Sequence, residues 1–274
     1  MFTTLIDVDK LAENLSNSDW VIVDCRFSLD DTDFGRRAYD DGHIPGAVYA
    51  HLDEDLSSEP VTDNGRHPLP SSKTLQERFG RLGIDSRKQV VVYDDKNGMI
   101  ASRLWWMLRY MGHEAVAVLD GGWPAWQAAR KPQRSGEEVN PATTFVGSPR
   151  TEWLVRADGV PDAVLLVDSR GPERYNGKNE EIDPVAGHIP GAVNYFYQQN
   201  WLENGRYLAM DKIREQLLAV LGDTAPTEAV FYCGSGVSAC VNLLALAHAG
   251  LGNGLIYAGS CSVWISDPAL SVEK

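Results

Sequence analysis

The sequence is short of cysteine, of positive charge and of long apolar runs, and each shortage removes a class of protein. Four cysteines (Cys25, Cys233, Cys240, Cys261) in 274 residues, without paired short spacings, do not make a disulfide framework or a zinc pattern. The thiols are expected to be reduced. With 25 Lys and Arg against 38 Asp and Glu, the formal net charge is -13, the wrong sign for a general nucleic-acid surface, which has to neutralise phosphates. No apolar run approaches the roughly 20 residues of a membrane-spanning helix. The opening MFTTLIDVDK has neither the basic stretch nor the apolar core of a secretion signal. A cytoplasmic location, with no membrane or nucleic-acid partner, is the expectation. No metal cluster, dinucleotide fingerprint or phosphate loop occurs, so no cofactor is expected.

What is present is written twice. VIVDCRF (21–27) returns as LLVDSRG (165–171), and DGHIPGAVY (41–49) as AGHIPGAVN (186–194). VVVYDDKNGMIASRLWWML (90–108) lines up with AVFYCGSGVSACVNLLAL (229–246), and VLDGGWPAW (118–126) with IYAGSCSVW (256–264). Four landmarks in the same order make two homologous domains, expected over 1–131 and 151–274. The stretch between them, 132–150, is rich in Pro, Gly, Ser and charge, and reads as a surface linker. Short Val, Ile and Leu runs bounded by Asp or Gly read as strands buried on both faces, and 101–113 has helical spacing of apolar residues. Strand and helix alternate, which predicts α/β domains, each a mainly parallel sheet flanked by helices.

In such sheets ligands bind beyond the carboxyl ends of the strands, and YCGSGVSA (232–239) stands at such a place. Gly234 and Gly236 let the backbone curl so that successive N–H groups point inward, and a helix from about Val237 adds its positive end. Ser235 and Ser238 offer hydroxyl donors. These surroundings stabilise an anion and mark Cys233 as a thiolate nucleophile, whereas Cys25 and Cys240, inside apolar segments, read as small hydrophobes. The aligned position in the first half is Asp94, followed by Asp95 and Lys96, which cannot do thiol chemistry. Arg26 and Arg170, like His43 and His188 with Pro45 and Pro190, occur in both halves. They are therefore assigned to supporting the fold.

Paired VDCR and VDSR, two GHIPGA motifs and one cysteine loop in the second half resemble the tandem-domain rhodanese family of sulfurtransferases over nearly the whole chain. The resemblance implies two rhodanese-like domains, the first non-catalytic and the second catalytic. It implies that a sulfane sulfur moves from a small anionic donor onto Cys233 as a persulfide, and on to cyanide or a thiol, with a thioredoxin-like reductant among the acceptors. CGSGVSA is similar to the loop of the 3-mercaptopyruvate branch, whereas thiosulfate-using members carry basic residues after the cysteine. On that pattern Arg174 holds the donor carboxylate, Gly234, Gly236, Val237 and Ser238 form the binding loop, and Asp53, His67 and Ser235 form a proton relay, with His51 as a competing histidine. A second arginine expected just before GHIPGA is missing, since Val185 and Ala186 stand there. Cys261 replaces a tryptophan of the terminal GSWSEW pattern and reads as an inert filler or a second thiol near the site, while Trp264 is expected to pack.

Two other functions compete. A cysteine phosphatase would need a cation six residues after the cysteine, where this chain has Ala239. A persulfide relay or binding module for a protein partner would keep the same loop without small-molecule turnover.

Overall fold

Val21–Val23 and Val90–Val92 are apolar without alternation and buried on both sides, the composition of strands inside a parallel sheet, whose crossovers put helices over the faces. The computed structural model describes residues 1–274, and the chain divides into two units. Unit 1 comprises Met1–Ser58, Pro70–Arg150 and Trp201–Tyr207; unit 2 comprises Glu59–Leu69, Thr151–Asn200 and Leu208–Lys274. Each unit thus includes a short segment from the opposite half of the chain.

In unit 1 the order is β1 (Leu5–Ile6), α1 (Val8–Ala12), β2 (Trp20–Asp24), α2 (Phe34–Asp41), β3 (Ala47–Tyr49), α3 (Ser72–Arg81), β4 (Gln89–Tyr93), α4 (Ala101–Tyr110), β5 (Val116–Leu119) and α5 (Gly122–Ala128). The five strands are all parallel, in the order β1-β5-β4-β2-β3. The predicted helix over 101–113 stops three residues early, because Gly112 turns the chain at φ +87°. Residues 132–150 have no helix or strand, yet they are not a loose tether. Phe145 is buried edge-on against Phe79 at 5.0 Å, and Thr143 N–H donates to Gly80 O at 2.9 Å.

Unit 2 repeats the plan with β6 (Leu165–Asp168), α6 (Pro172–Tyr175), β7 (Val193–Asn194), α7 (Met210–Leu221), β8 (Ala229–Tyr232), α8 (Ala239–His248), β9 (Leu255–Ile256) and α9 (Ser260–Trp264). Its four strands are parallel in the order β7-β6-β8-β9. Residues 239–246 of α8 are buried on every side, as a helix apolar all round must be. The polar exception there, Asn242, is matched: its Nδ2 donates to Ser169 Oγ and Tyr195 O, and its Oδ1 accepts from Asn200.

The repeated arginines and histidines pin the same turn in each unit. Arg26 clasps Asp24 and donates to Gly42 O at 2.6 Å, and Arg170 clasps Asp168 and donates to Gly187 O at 2.7 Å. His43 Nδ1 lies 2.8 Å from Tyr39 O, and His188 Nδ1 2.8 Å from Tyr175 O, each ring stacked on that tyrosine. Pro45-Gly46 and Pro190-Gly191 occupy the corners of type II turns, with φ +78° and +77° at the glycines and i to i+3 bonds closing at Ala47 and Ala192. The structural reading of these residues holds.

Candidate active site

The registers Asp24↔Tyr93 and Asp168↔Tyr232 end the central strands level with one another, so the loops after β4 and β8 leave corresponding sheet edges. In unit 1 that loop wraps a carboxylate. Asp94 Oδ1 accepts N–H bonds from Lys96 and Gly98, both 2.8 Å, and Oδ2 accepts from Ile100 at 2.7 Å and Ala101 at 2.8 Å. The loop is therefore a ring of inward-pointing amides built to hold an anion.

In unit 2 the corresponding residue is Cys233. Burial alone would push the Cys233 thiol up, but the Ser238 hydroxyl and the amides of Ser235, Ala239 and Gly236 donate to it and bring its pKa below the ordinary thiol value. Ser238 is the N-cap residue of α8 and makes no side-chain cap bond, which leaves its hydroxyl for the sulfur. The helix begins at Ala239, two residues later than predicted, because Val237 and Ser238 form a tight entry turn whose carbonyls accept from Cys240 and Val241. Val237 is buried in that turn. Ser238→Ala is expected to move the pH midpoint for alkylation of Cys233 by iodoacetamide upward; an unmoved midpoint would show that the hydroxyl does not donate.

The two loop glycines have different reasons. Gly236 has φ +74°, and a Cβ there would lie 2.3 Å from Ala258 O. Gly234 has no such backbone demand; a Cβ there would lie 2.8 Å from Arg66 Nη2 and 3.6 Å from both Nη atoms of Arg174. A side chain at 234 would meet the tips of two arginines, and the Arg66 guanidinium would have to shift to admit it.

Arg174, in α6, is oriented by acids. Its Nε donates to Glu180 at 2.9 and 3.1 Å, and Nη2 to Asp183 Oδ2 at 2.8 Å. Arg66 Nη1 donates to Oδ1 of the same Asp183. Sequence reasoning missed Arg66, and GRHPLP held the only signal: a basic residue beside a candidate histidine, in a segment without a counterpart in the second half.

His67, carried with Arg66 on the Glu59–Leu69 segment, is buried and has Nδ1 2.7 Å from Ser235 Oγ. Two of the three relay residues are thus brought together within unit 2. Asp53 belongs to unit 1, where its N–H donates to His51 Nδ1 at 3.2 Å. His51 Nε2 lies 2.9 Å from Thr32 O. With Nδ1 accepting an amide bond, that ring carries its proton on Nε2 and serves a local turn.

The α9 segment braces the cysteine loop. Cys233 N–H donates to Ser260 Oγ at 3.1 Å, Cys233 O accepts from Cys261 N–H at 3.1 Å, and Gly234 O accepts from Ser262 N–H at 2.9 Å. Ser260 sits at φ +54°, where unit 1 has Gly122 at +55°. A β-carbon at Gly122 would lie 2.3 Å from Asp94 O, whereas Ser260 uses its hydroxyl to bind the corresponding amide. Trp123, one residue on in unit 1, covers Arg26 at 4.7 Å; Cys261 stands at the matching position. Burial pushes the Cys261 thiol well up, with Arg170 only partly opposing. A raised thiol pKa disfavours a thiolate at this position. Cys25 and Cys240 are fully buried, and Trp264 packs in the core of unit 2.

A parallel sheet whose strand-end loop surrounds a cysteine with N–H donors, repeated once with the cysteine replaced, defines a tandem protein built on the rhodanese plan. The rhodanese-like domain model matches residues 7–129 and 151–267, and the chain belongs to that family. It is 42% identical over 273 residues to a Pseudomonas aeruginosa protein named "Probable 3-mercaptopyruvate sulfurtransferase", covering 96% of this chain and 95% of that one. It is 32% identical over 281 residues to the 3-mercaptopyruvate sulfurtransferase of Escherichia coli, covering 99% and 98%. Among solved structures, the 3-mercaptopyruvate sulfurtransferase from Leishmania major superposes with a TM-score of 0.87 at 32% identity, over 95% of this chain and 73% of that one. The chain is an enzyme of the sulfurtransferase kind.

Proposed function

We propose that the chain transfers sulfur from 3-mercaptopyruvate to a thiol or cyanide through a persulfide on Cys233. The observation that carries this reading is the ring of donors on the Cys233 sulfur, the Ser238 hydroxyl and three amides, which favours a thiolate and would equally hold a terminal persulfide anion. The relatives named for 3-mercaptopyruvate support the choice of donor.

Docked through its carboxylate on Arg174, the donor presents its thiol sulfur to Cys233. The thiolate forms a sulfur–sulfur bond as the donor carbon–sulfur bond breaks, and the electron pair of that bond goes to the donor methylene. The proton of the donor thiol passes to that carbon, giving pyruvate. The Ser235–His67 pair, 2.7 Å apart, supports a role for the imidazole in carrying this proton. The outer sulfur then leaves to the acceptor, as thiocyanate with cyanide or as a new persulfide with a thiol, and the Cys233 thiolate is restored. A thioredoxin-like dithiol is an acceptor of the right chemistry. The four free, buried cysteines fit a reducing compartment such as the cytoplasm.

Intact-mass measurement after incubation with 3-mercaptopyruvate, and separately with thiosulfate, tests the reading. A gain of one sulfur atom with 3-mercaptopyruvate, discharged by cyanide, is expected. A gain only with thiosulfate would replace the donor, and no gain with either would point to a relay for a protein partner.

A further inference from the structure

Val185 and Ala186 leave half of the expected carboxylate clamp without its arginine. We propose that Arg66 is a donor-binding residue: with Arg174 it forms a two-guanidinium clamp over Gly234 that holds the carboxylate of the sulfur donor. The inference deepens the reading above and rests on it for the identity of the donor.

Four observations carry it. Both side chains converge on one point, since an atom placed at the Cβ position of Gly234 would lie 2.8 Å from Arg66 Nη2 and 3.6 Å from Arg174 Nη1. That point belongs to the residue next to the nucleophile. Asp183 and Glu180 engage only part of each fork, through Arg66 Nη1 and through Arg174 Nε and Nη2. Of the three guanidinium nitrogens near Gly234, Arg174 Nη2 is bonded to Asp183, while Arg66 Nη2 and Arg174 Nη1 make no hydrogen bond within the chain. Arg66 Nε is buried and likewise finds no acceptor in the chain, so this guanidinium holds more donor capacity than its protein contacts use. Finally, the two side chains keep 31% and 24% of their surface exposed, enough for a small solute to reach them.

Charge explains why acids are present in an anion site. Arg66, Arg170 and Arg174 face Asp168, Glu180 and Asp183 in one ion-pair cluster. The cluster is formally neutral and fixes the planes of the guanidinium groups, and recognition falls to directed N–H bonds, which suit the planar oxygens of a carboxylate. The same function is served from an unrelated place in the chain: Arg66 enters on the Glu59–Leu69 segment and not from the residues before GHIPGA.

The test uses the full-length protein and two readouts. Arg66→Gln is expected to raise the KM for 3-mercaptopyruvate about 10- to 100-fold with kcat changed less than about threefold, the loss of one charge-assisted contact. Arg66→Lys, which keeps the charge without the fork, is expected to fall between. In the second readout Cys233 is alkylated by iodoacetate and by neutral iodoacetamide, each forming a thioether with release of iodide. Arg66→Gln should slow iodoacetate about tenfold and leave iodoacetamide unchanged. An unchanged KM in an active enzyme, or equal slowing of both reagents, would overturn the clamp, because the second pattern means that the thiolate itself was disturbed. If the wild type does not accept 3-mercaptopyruvate at all, the donor assignment fails, and the iodoacetate arm still decides whether Arg66 recruits a carboxylate.

Discussion

Asp94→Ala is expected to destabilise the protein by about 4 kcal/mol or more, without touching a residue assigned to chemistry. The carboxylate is fully buried and accepts four main-chain N–H bonds. Leaving a buried donor unsatisfied costs about 1 to 3 kcal/mol, and in this variant four donors would point into a space too small to replace every bond with water. Burial raises the carboxyl pKa of Asp94 against the pull of these amides, yet in either protonation state its oxygens remain the acceptors that the loop requires. Asp94→Asn keeps the shape but turns two lone-pair sites into donors facing donors, and should lose about 3 kcal/mol. Urea unfolding followed by tryptophan fluorescence measures both. A loss below about 1 kcal/mol for the alanine variant would mean that the amide ring is not what holds the loop after β4.

Cys233→Ser should lower sulfur transfer by at least about 10³-fold with any donor. A hydroxyl is not ionised near neutral pH and forms no sulfur–sulfur bond, so the donors around position 233 would have no nucleophile to stabilise. Folding should be spared, since an Oγ can accept from the same Ser238 hydroxyl and amides that surround the sulfur. The paired measurement is thiocyanate production with cyanide as acceptor, beside circular dichroism and the urea midpoint. Residual turnover within about tenfold of the wild type would transfer the role of nucleophile to another residue. Cys261 would be the first to examine, because Cys261 N–H bonds to Cys233 O.

Much of this was legible in the sequence because it is local or repeated. The strand runs, the type II turns of GHIPGA and the arginine clasps appear in both halves and depend on residues close together in the chain. The cysteine loop is a single stretch of eight residues, 232–239, whose composition states its chemistry. The linker reading of 132–150 weighed Pro, Gly and Ser and missed the anchoring of Phe145. Arg66 escaped for a different reason: its role depends on where Glu59–Leu69 folds, and nothing in a surface-like GRHPLP reports that its guanidinium meets Asp183 more than a hundred residues later. Gly234 was read as a residue that lets the backbone curl, but only Gly236 has the left-handed angle, and what lies against Gly234 is a pair of guanidinium groups from distant parts of the chain.

The exchanged segments have a consequence for how such a protein can change over time. A repeated domain with aspartate, Asp94, where its twin has Cys233 would ordinarily be free to decay or be deleted. Here the first half cannot be discarded, because the segment carrying Arg66 and His67 is encoded within it while folding as part of unit 2. Nor is the second half separable, since Trp201–Tyr207 belongs to unit 1. The two copies are bound as one heritable unit, and a gene fragment holding either half alone would encode a domain with a piece missing.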